Sequence, residues 1–115
     1  MRIAHIHLDV GFAGFPVEIQ KERNMSKNLL IRHAVGQILR EQREQSKLSQ
    51  REVARTAGVA LGYLSEIERG IKEPSSEMIR SICQALLFDS ADLLVEAGMR
   101  MKEHELSLLQ PTSRS

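Results

Sequence analysis

Gln50, Arg51, Ser65, Glu66, Arg69 and Lys72 are polar side chains gathered in one short stretch, with Leu61, Gly62 and Tyr63 standing among them. An amide, a phenol and cations of this kind can hold phosphate oxygens, and a carboxylate can accept from an exocyclic amino group such as cytosine N4. A leucine can touch a thymine methyl, and a glycine lets a backbone come close. The chemistry available is therefore noncovalent recognition of a polyanion with readable edges. Gln50, Arg51, Tyr63, Arg69 and Lys72 are the candidates for phosphate; Leu61, Gly62, Glu66 and, more weakly, Ser65 are the candidates for base edges. No Ser-His-Asp grouping, phosphate-binding glycine loop or paired carboxylates in a polar cleft can be placed, so an enzyme is not expected.

The elements that must position these residues are helices. Ser49 can cap a helix opening at Gln50, with Val53, Ala54 and Ala57 on one face, and Gly58 can close it in the left-handed conformation. A second helix follows, in which Leu64 and Ile67 point inward while Leu61, Gly62, Ser65 and Glu66 occupy the other side. Val59 is placed to plug the space between the two, and the pair reads as a helix-turn-helix. Before it, the apolar residues Leu30, Ile31, Ala34, Val35, Ile38 and Leu39 give a helical stripe over Lys27 to Gln45. After it, Ser75 can cap a helix through Leu86, and Asp89 with Asp92 resembles a capping box for a fifth. Leu94, Ala97, Met101 and Leu108 carry an apolar face past Gly98, which can end one helix and start another.

Leu48-Ser49-Gln50, Ala54, Gly58-Val59, Tyr63-Leu64-Ser65, Ile67-Glu68-Arg69-Gly70 and Pro74-Ser75 resemble the Cro and phage-repressor superfamily, over roughly Val35 to Leu94. Within it, the block from Leu61 to Gly70, then Lys72-Glu73 and Ser75-Ser76-Glu77, is similar to the actinobacterial Clp gene regulators. The resemblance implies an all-α, five-helix repressor-like fold. It also implies a DNA-touching glutamine at Gln50, a structural ion pair between Arg43 and Glu68, and activation of Clp protease and other stress genes. The chain departs from the pattern at three places. Leu61 and Gly62 stand where relatives often carry glutamines, Ala60 replaces a capping serine, and Leu87 replaces a glycine, which predicts a tighter or more buried exit.

Composition sets the remaining bounds. A chain of 115 residues suits one small domain with tails, and three Phe, one Tyr and no Trp leave an aliphatic core. The net charge is +1, and its distribution is only mildly uneven: eight cations face six carboxylates from Arg32 to Glu73, whereas Glu77 to Glu105 is net acidic. Motif geometry thus says more than bulk charge. The single Cys83 excludes an internal disulfide and suits a reducing cytoplasm. No apolar run has the length of a membrane span, and His5, His7 and Asp9 interrupt the amino-terminal segment, so no signal peptide is indicated. His5 and His7 without a further ligand are a weak metal site, and neither metal nor cofactor is expected.

Residues 1–26 read as an arm. It is either a flexible or strand-like extension, or non-native sequence ahead of a start at Met25, where Lys21-Glu22-Arg23-Asn24 fits a purine-rich ribosome-binding site. Residues 27–97 form the DNA-binding domain, 98–109 a helical extension and 110–115 a tail. Leu30, Ile31, Leu94, Met101 and Leu108 are candidates for a homodimer interface, since such apolar surface needs cover. The expected partner is a pseudo-palindromic duplex, with RNA polymerase a further candidate. The rival reading is a protein-interaction module on the same fold, an antitoxin or a coactivator.

Overall fold

The computed structural model describes residues 29–109, which form five helices: α1 (Ile31–Gln45), α2 (Gln50–Ala57), α3 (Leu61–Glu68), α4 (Ser76–Leu86) and α5 (Ser90–Leu109). The expected arm of residues 1–26, with its strand-like reading, its His5 and His7 pair and the Met25 start, lies outside the described residues, as do residues 27–28 and the tail of residues 110–115.

Local chemistry explains most of the boundaries. Glu52 N–H donates to Ser49 Oγ (3.0 Å) while Ser49 N–H donates to Glu52 Oε1 (2.8 Å), a reciprocal capping box that fixes the start of α2. Gly58 ends α2 at φ 74°, and the Val59 N–H reaches back to the Ala54 carbonyl at 2.9 Å. Ser75 Oγ accepts from Met78 N–H at 3.1 Å to open α4, and Asp89 Oδ1 accepts from Ala91 N–H at 2.7 Å to open α5. Ala60 supplies no side-chain cap to α3.

The core is aliphatic. Ile38 and Leu39 of α1, Val53 of α2, Leu64 and Ile67 of α3, Ile82 of α4, and Leu93 and Ala97 of α5 are sealed from solvent. Gly36 lets α1 cross α3 with the backbones nearly touching, because a Cβ there would fall on the Ile67 carbonyl oxygen. Arg100 of α5 grips Glu41 of α1 through both terminal nitrogens, at 2.7 and 3.1 Å, and takes Glu96 through Nε. That clamp ties the long helix to the bundle.

Three expectations need correction. Helix α1 begins at Ile31, with Leu30 as its N-cap, so Leu29 and Leu30 do not add a turn to it. Gly98 does not break α5, which runs continuously for 20 residues. The core residue at the start of that helix is Leu93, which the apolar spacing did not single out, while Leu94, a candidate for the dimer interface, is exposed. Leu87 adopts the left-handed conformation (φ 55°) and is 94% exposed, so the exit from α4 is neither tighter nor buried. The backbone there follows the glycine-type geometry, and the leucine side chain simply projects into solvent.

Candidate nucleic-acid interface

The site is built on a polar knot where α1, α2 and α3 meet. Glu68, at the end of α3, is 7% exposed and takes Arg43 of α1 in a two-pronged ion pair: Nε to Oε2 at 2.7 Å and Nη2 to Oε1 at 3.0 Å. Arg43 also donates through Nη1 to the Leu48 carbonyl (2.9 Å), so the guanidinium closes the α1–α2 loop as well. Hydrogen bonding to Glu68 raises the Arg43 pKa above its ordinary value.

Gln50 joins the same knot. Its Nε2 donates to Glu68 Oε1 at 2.9 Å, which places its amide at the first turn of α2 and leaves one amide N–H and the amide oxygen for an outside partner. The phosphate role expected of Gln50 did not include this internal bond. The signal was the presence of three polar residues, Arg43, Gln50 and Glu68, near helix ends that meet in the fold.

The exposed side of α3 carries Leu61 and Gly62 at the surface, with Ser65 and Glu66 half-buried beside them. Tyr63 is half-buried and packs against the core, so its ring is partly used as a fold residue while the rest of it stays accessible. Arg51 on α2, and Arg69 and Lys72 after α3, are exposed around this face. Arg69 Nε bends back to the Ser65 carbonyl at 3.3 Å. The segment after α3 is pinned from below. Arg32 Nε donates to the Gly70 carbonyl at 3.1 Å, and His33 lies directly under Gly70, whose φ of 75° also excludes a side chain. Arg32 and His33 were not singled out by the sequence, because nothing in local spacing connects α1 to a turn 38 residues later.

Apolar surface gathers elsewhere. Leu30, Ile31 and Leu94 are 40%, 42% and 48% exposed, and a cleft of about 50 Å³ runs between Ile31, Val35, Pro74, Ile79 and Leu94, with Arg32 and Glu73 also on its lining. Val95, Met99 and Leu106 form a separate exposed strip on α5. Met101 is half-buried and packs against the core of its own chain, and Leu108 is also half-buried. Among the described residues, no group of three or more His, Cys, Asp or Glu side chains could hold a metal ion. No described helix is long and apolar enough to cross a membrane.

A helix-turn-helix family model matches residues 39–93, which span α2 to α4 and parts of the helices on either side. The transcriptional regulator ClgR of Mycobacterium tuberculosis is 47% identical over 87 residues, 75% of this chain and 78% of that protein. The crystal structure of the clp gene regulator ClgR from Corynebacterium glutamicum superposes with a TM-score of 0.65 at 42% identity, covering 70% of this chain and 85% of that one. The restriction-modification controller protein C.AhdI from Aeromonas hydrophila superposes with a TM-score of 0.53 at 32% identity, over 54% of this chain and 94% of that one.

Proposed function

The chain belongs to the ClgR-like helix-turn-helix transcriptional regulators, a family of DNA-binding proteins and not of enzymes, and from that premise we propose that it acts as a homodimer on a pseudo-palindromic operator and activates Clp protease and related stress genes. The observation that carries the reading is the single rigid frame shared by Gln50 and the exposed face of α3. The buried Glu68 holds Gln50 at the head of α2, while Leu61, Gly62, Ser65 and Glu66 stand on the open side of α3. Gln50, Arg51, Tyr63, Arg69 and Lys72 would position the helix on phosphates, leaving α3 to read the major groove. RNA polymerase is the partner that activation requires, and the cytoplasm is where both would meet.

Among the base-facing residues, Glu66 is assigned the acceptor role. A carboxylate near phosphates is unfavourable unless it receives a hydrogen bond, most simply from cytosine N4. Glu66→Gln should lower discrimination at one base position per half-site by about 1–3 kcal/mol. Equal tightening on operator and random duplex would instead mark Glu66 as merely repulsive.

Selection of bound sites from random duplex DNA, using the full chain, tests the reading. The expected result is an inverted repeat whose half-sites lie about 34–36 Å apart, one helical turn, or a multiple of that spacing. Transcription from a Clp protease promoter carrying that site, with purified RNA polymerase, should then rise when the protein is added. Failure to enrich any site would sink the DNA-binding assignment, while enrichment with lowered transcription would sink activation alone.

A further inference from the structure

The turn that follows α3 is buried at two points and exposed between and before them. Gly70 and Pro74 are out of solvent, whereas Arg69, Ile71, Lys72 and Glu73 face it. A buried backbone carbonyl needs a donor. The Gly70 carbonyl takes one from the first turn of α1, 38 positions earlier, where Arg32 Nε lies at 3.1 Å. On the other side of the same peptide unit, the Ile71 N–H donates to the Glu66 carbonyl at 2.9 Å. The peptide plane joining Gly70 to Ile71 is therefore held at both ends, by α1 on one side and by α3 on the other. The fit is close: His33 of α1 leaves no room for a Cβ at Gly70, and the Arg32 side chain lines the same cleft as Glu73 and Pro74.

A peptide plane fixed in this way sets the directions in which the chain leaves it. The two cations of this turn assigned to phosphate, Arg69 and Lys72, flank the Gly70–Ile71 pair. Without Arg32 the Gly70 carbonyl would either stay buried and unpaired, which is costly, or rotate towards solvent and swing both cations with it. A carbonyl oxygen turned outward would also face the phosphates with the wrong sign of partial charge. We propose that Arg32 is a positioning residue for DNA binding: its Nε–H holds the Gly70 carbonyl inward and so aims Arg69 and Lys72 at phosphates, without touching DNA itself. This rests on the DNA-binding reading above. It goes beyond it by giving α1, which carries none of the DNA-contact candidates, a part in setting affinity. What the carbonyl requires of residue 32 is a donor, not a charge.

Two replacements separate this role from direct contact with phosphate. Counted along the side chain, the amide nitrogen of glutamine occupies the place of arginine Nε. Arg32→Gln thus keeps a donor for the Gly70 carbonyl and discards the charge, whereas Arg32→Met keeps the length and discards both. Arg32→Met should remain helical by circular dichroism and bind operator and random duplex alike about three- to tenfold more weakly than wild type at one salt concentration. Arg32→Gln should recover binding to within about twofold of wild type, with an unchanged salt slope. If both variants bind equally weakly and the salt slope falls by about one unit in each, Arg32 is itself a phosphate contact and the positioning role is overturned. If both bind as wild type does, the turn needs no such anchor and the role is overturned too. A double-mutant cycle covers the case of a loss that comes from the fold: in a chain already carrying Arg69→Ala and Lys72→Ala, Arg32→Met should cost no further affinity, and an additive loss overturns the role. The wild-type chain measured in parallel keeps the two ideas apart, since if it binds no duplex the DNA-binding reading has failed and this inference falls with it.

Discussion

Gln50 Nε2 donates at 2.9 Å to Glu68 Oε1, the same carboxylate oxygen that Arg43 Nη2 reaches at 3.0 Å. One buried oxygen thus ties the head of α2 to the end of α3 and to α1. In a low-dielectric setting such bonds are strong and an unmatched partner is costly, so the three side chains are expected to behave as one unit. The arrangement pre-orients Gln50, so that little side-chain freedom remains to be lost when it meets a phosphate.

The unit predicts an order of mutational effects. Glu68→Ala leaves the largely buried Arg43 guanidinium unpaired and should destabilise the domain by about 3–5 kcal/mol. Gln50→Ala removes only one hydrogen bond to a charged group, about 1.5–3 kcal/mol, and should weaken binding to all duplexes alike. Urea denaturation of both variants, with binding measured on operator and random duplex, checks the order. Equal destabilisation, or a changed sequence preference for Gln50→Ala, would contradict it.

How far the sequence carried is clearest from particular residues. The caps at Ser49 and Ser75, the left-handed Gly58 and the inward pair Leu64 and Ile67 were all readable, because each depends on a spacing of four residues or fewer. What was not readable depends on contacts across helices. Arg32 under the Gly70 carbonyl, Arg100 clamped to Glu41 and Gln50 on Glu68 join residues separated by 38, 59 and 18 positions. The burial of Leu93 was not readable for a related reason. Leu93 and its neighbour Leu94 are equally apolar, and only the docking angle of α5 decides which is buried.

Leu87 provides a test on backbone conformation alone. It holds φ 55° with its side chain 94% exposed, so replacing it with glycine removes strain and no packing. Left-handed backbone costs a leucine about 1–2 kcal/mol, and the greater freedom of glycine in the unfolded chain takes back part of that gain. Leu87→Gly should therefore raise the thermal midpoint of the full chain by a few degrees. A lower midpoint would show that the leucine is covered by another molecule in solution.

The Arg100–Glu41 clamp predicts a pH window. Hydrogen bonding to Arg100 pulls the Glu41 carboxyl below its ordinary value of 4.5. A depressed carboxylate stabilises the fold above its unfolded pKa, and the benefit is lost as pH falls through the lowered folded value. Because the Glu41 side chain is about half exposed, the effect should stay within about 1 kcal/mol. Wild type and Glu41→Gln should therefore differ in urea midpoint at pH 7 and converge as the pH is lowered towards 3. A gap that persists unchanged at pH 3 would show that the carboxylate charge is not its source.

The proposed homodimer can be located by two substitutions at exposed positions of the same helix. Leu94 adjoins Ile31, Val35 and Ile79 at the cleft beside Leu30, whereas Met99 belongs to the separate strip with Val95 and Leu106. Met101 is unsuitable for such a test, since a charge there would disturb the chain's own core before it reached any interface. The patch of Leu30, Ile31 and Leu94 draws on two helices and has a cleft into which a partner's side chain can fit, so it is the better candidate for a self-complementary contact. Leu94→Asp should give a folded monomer by sedimentation with much weaker operator affinity, because one half-site alone provides only part of the contact energy. Met99→Asp should remain dimeric and bind as wild type. The reverse pattern would move the interface to the Met99 strip.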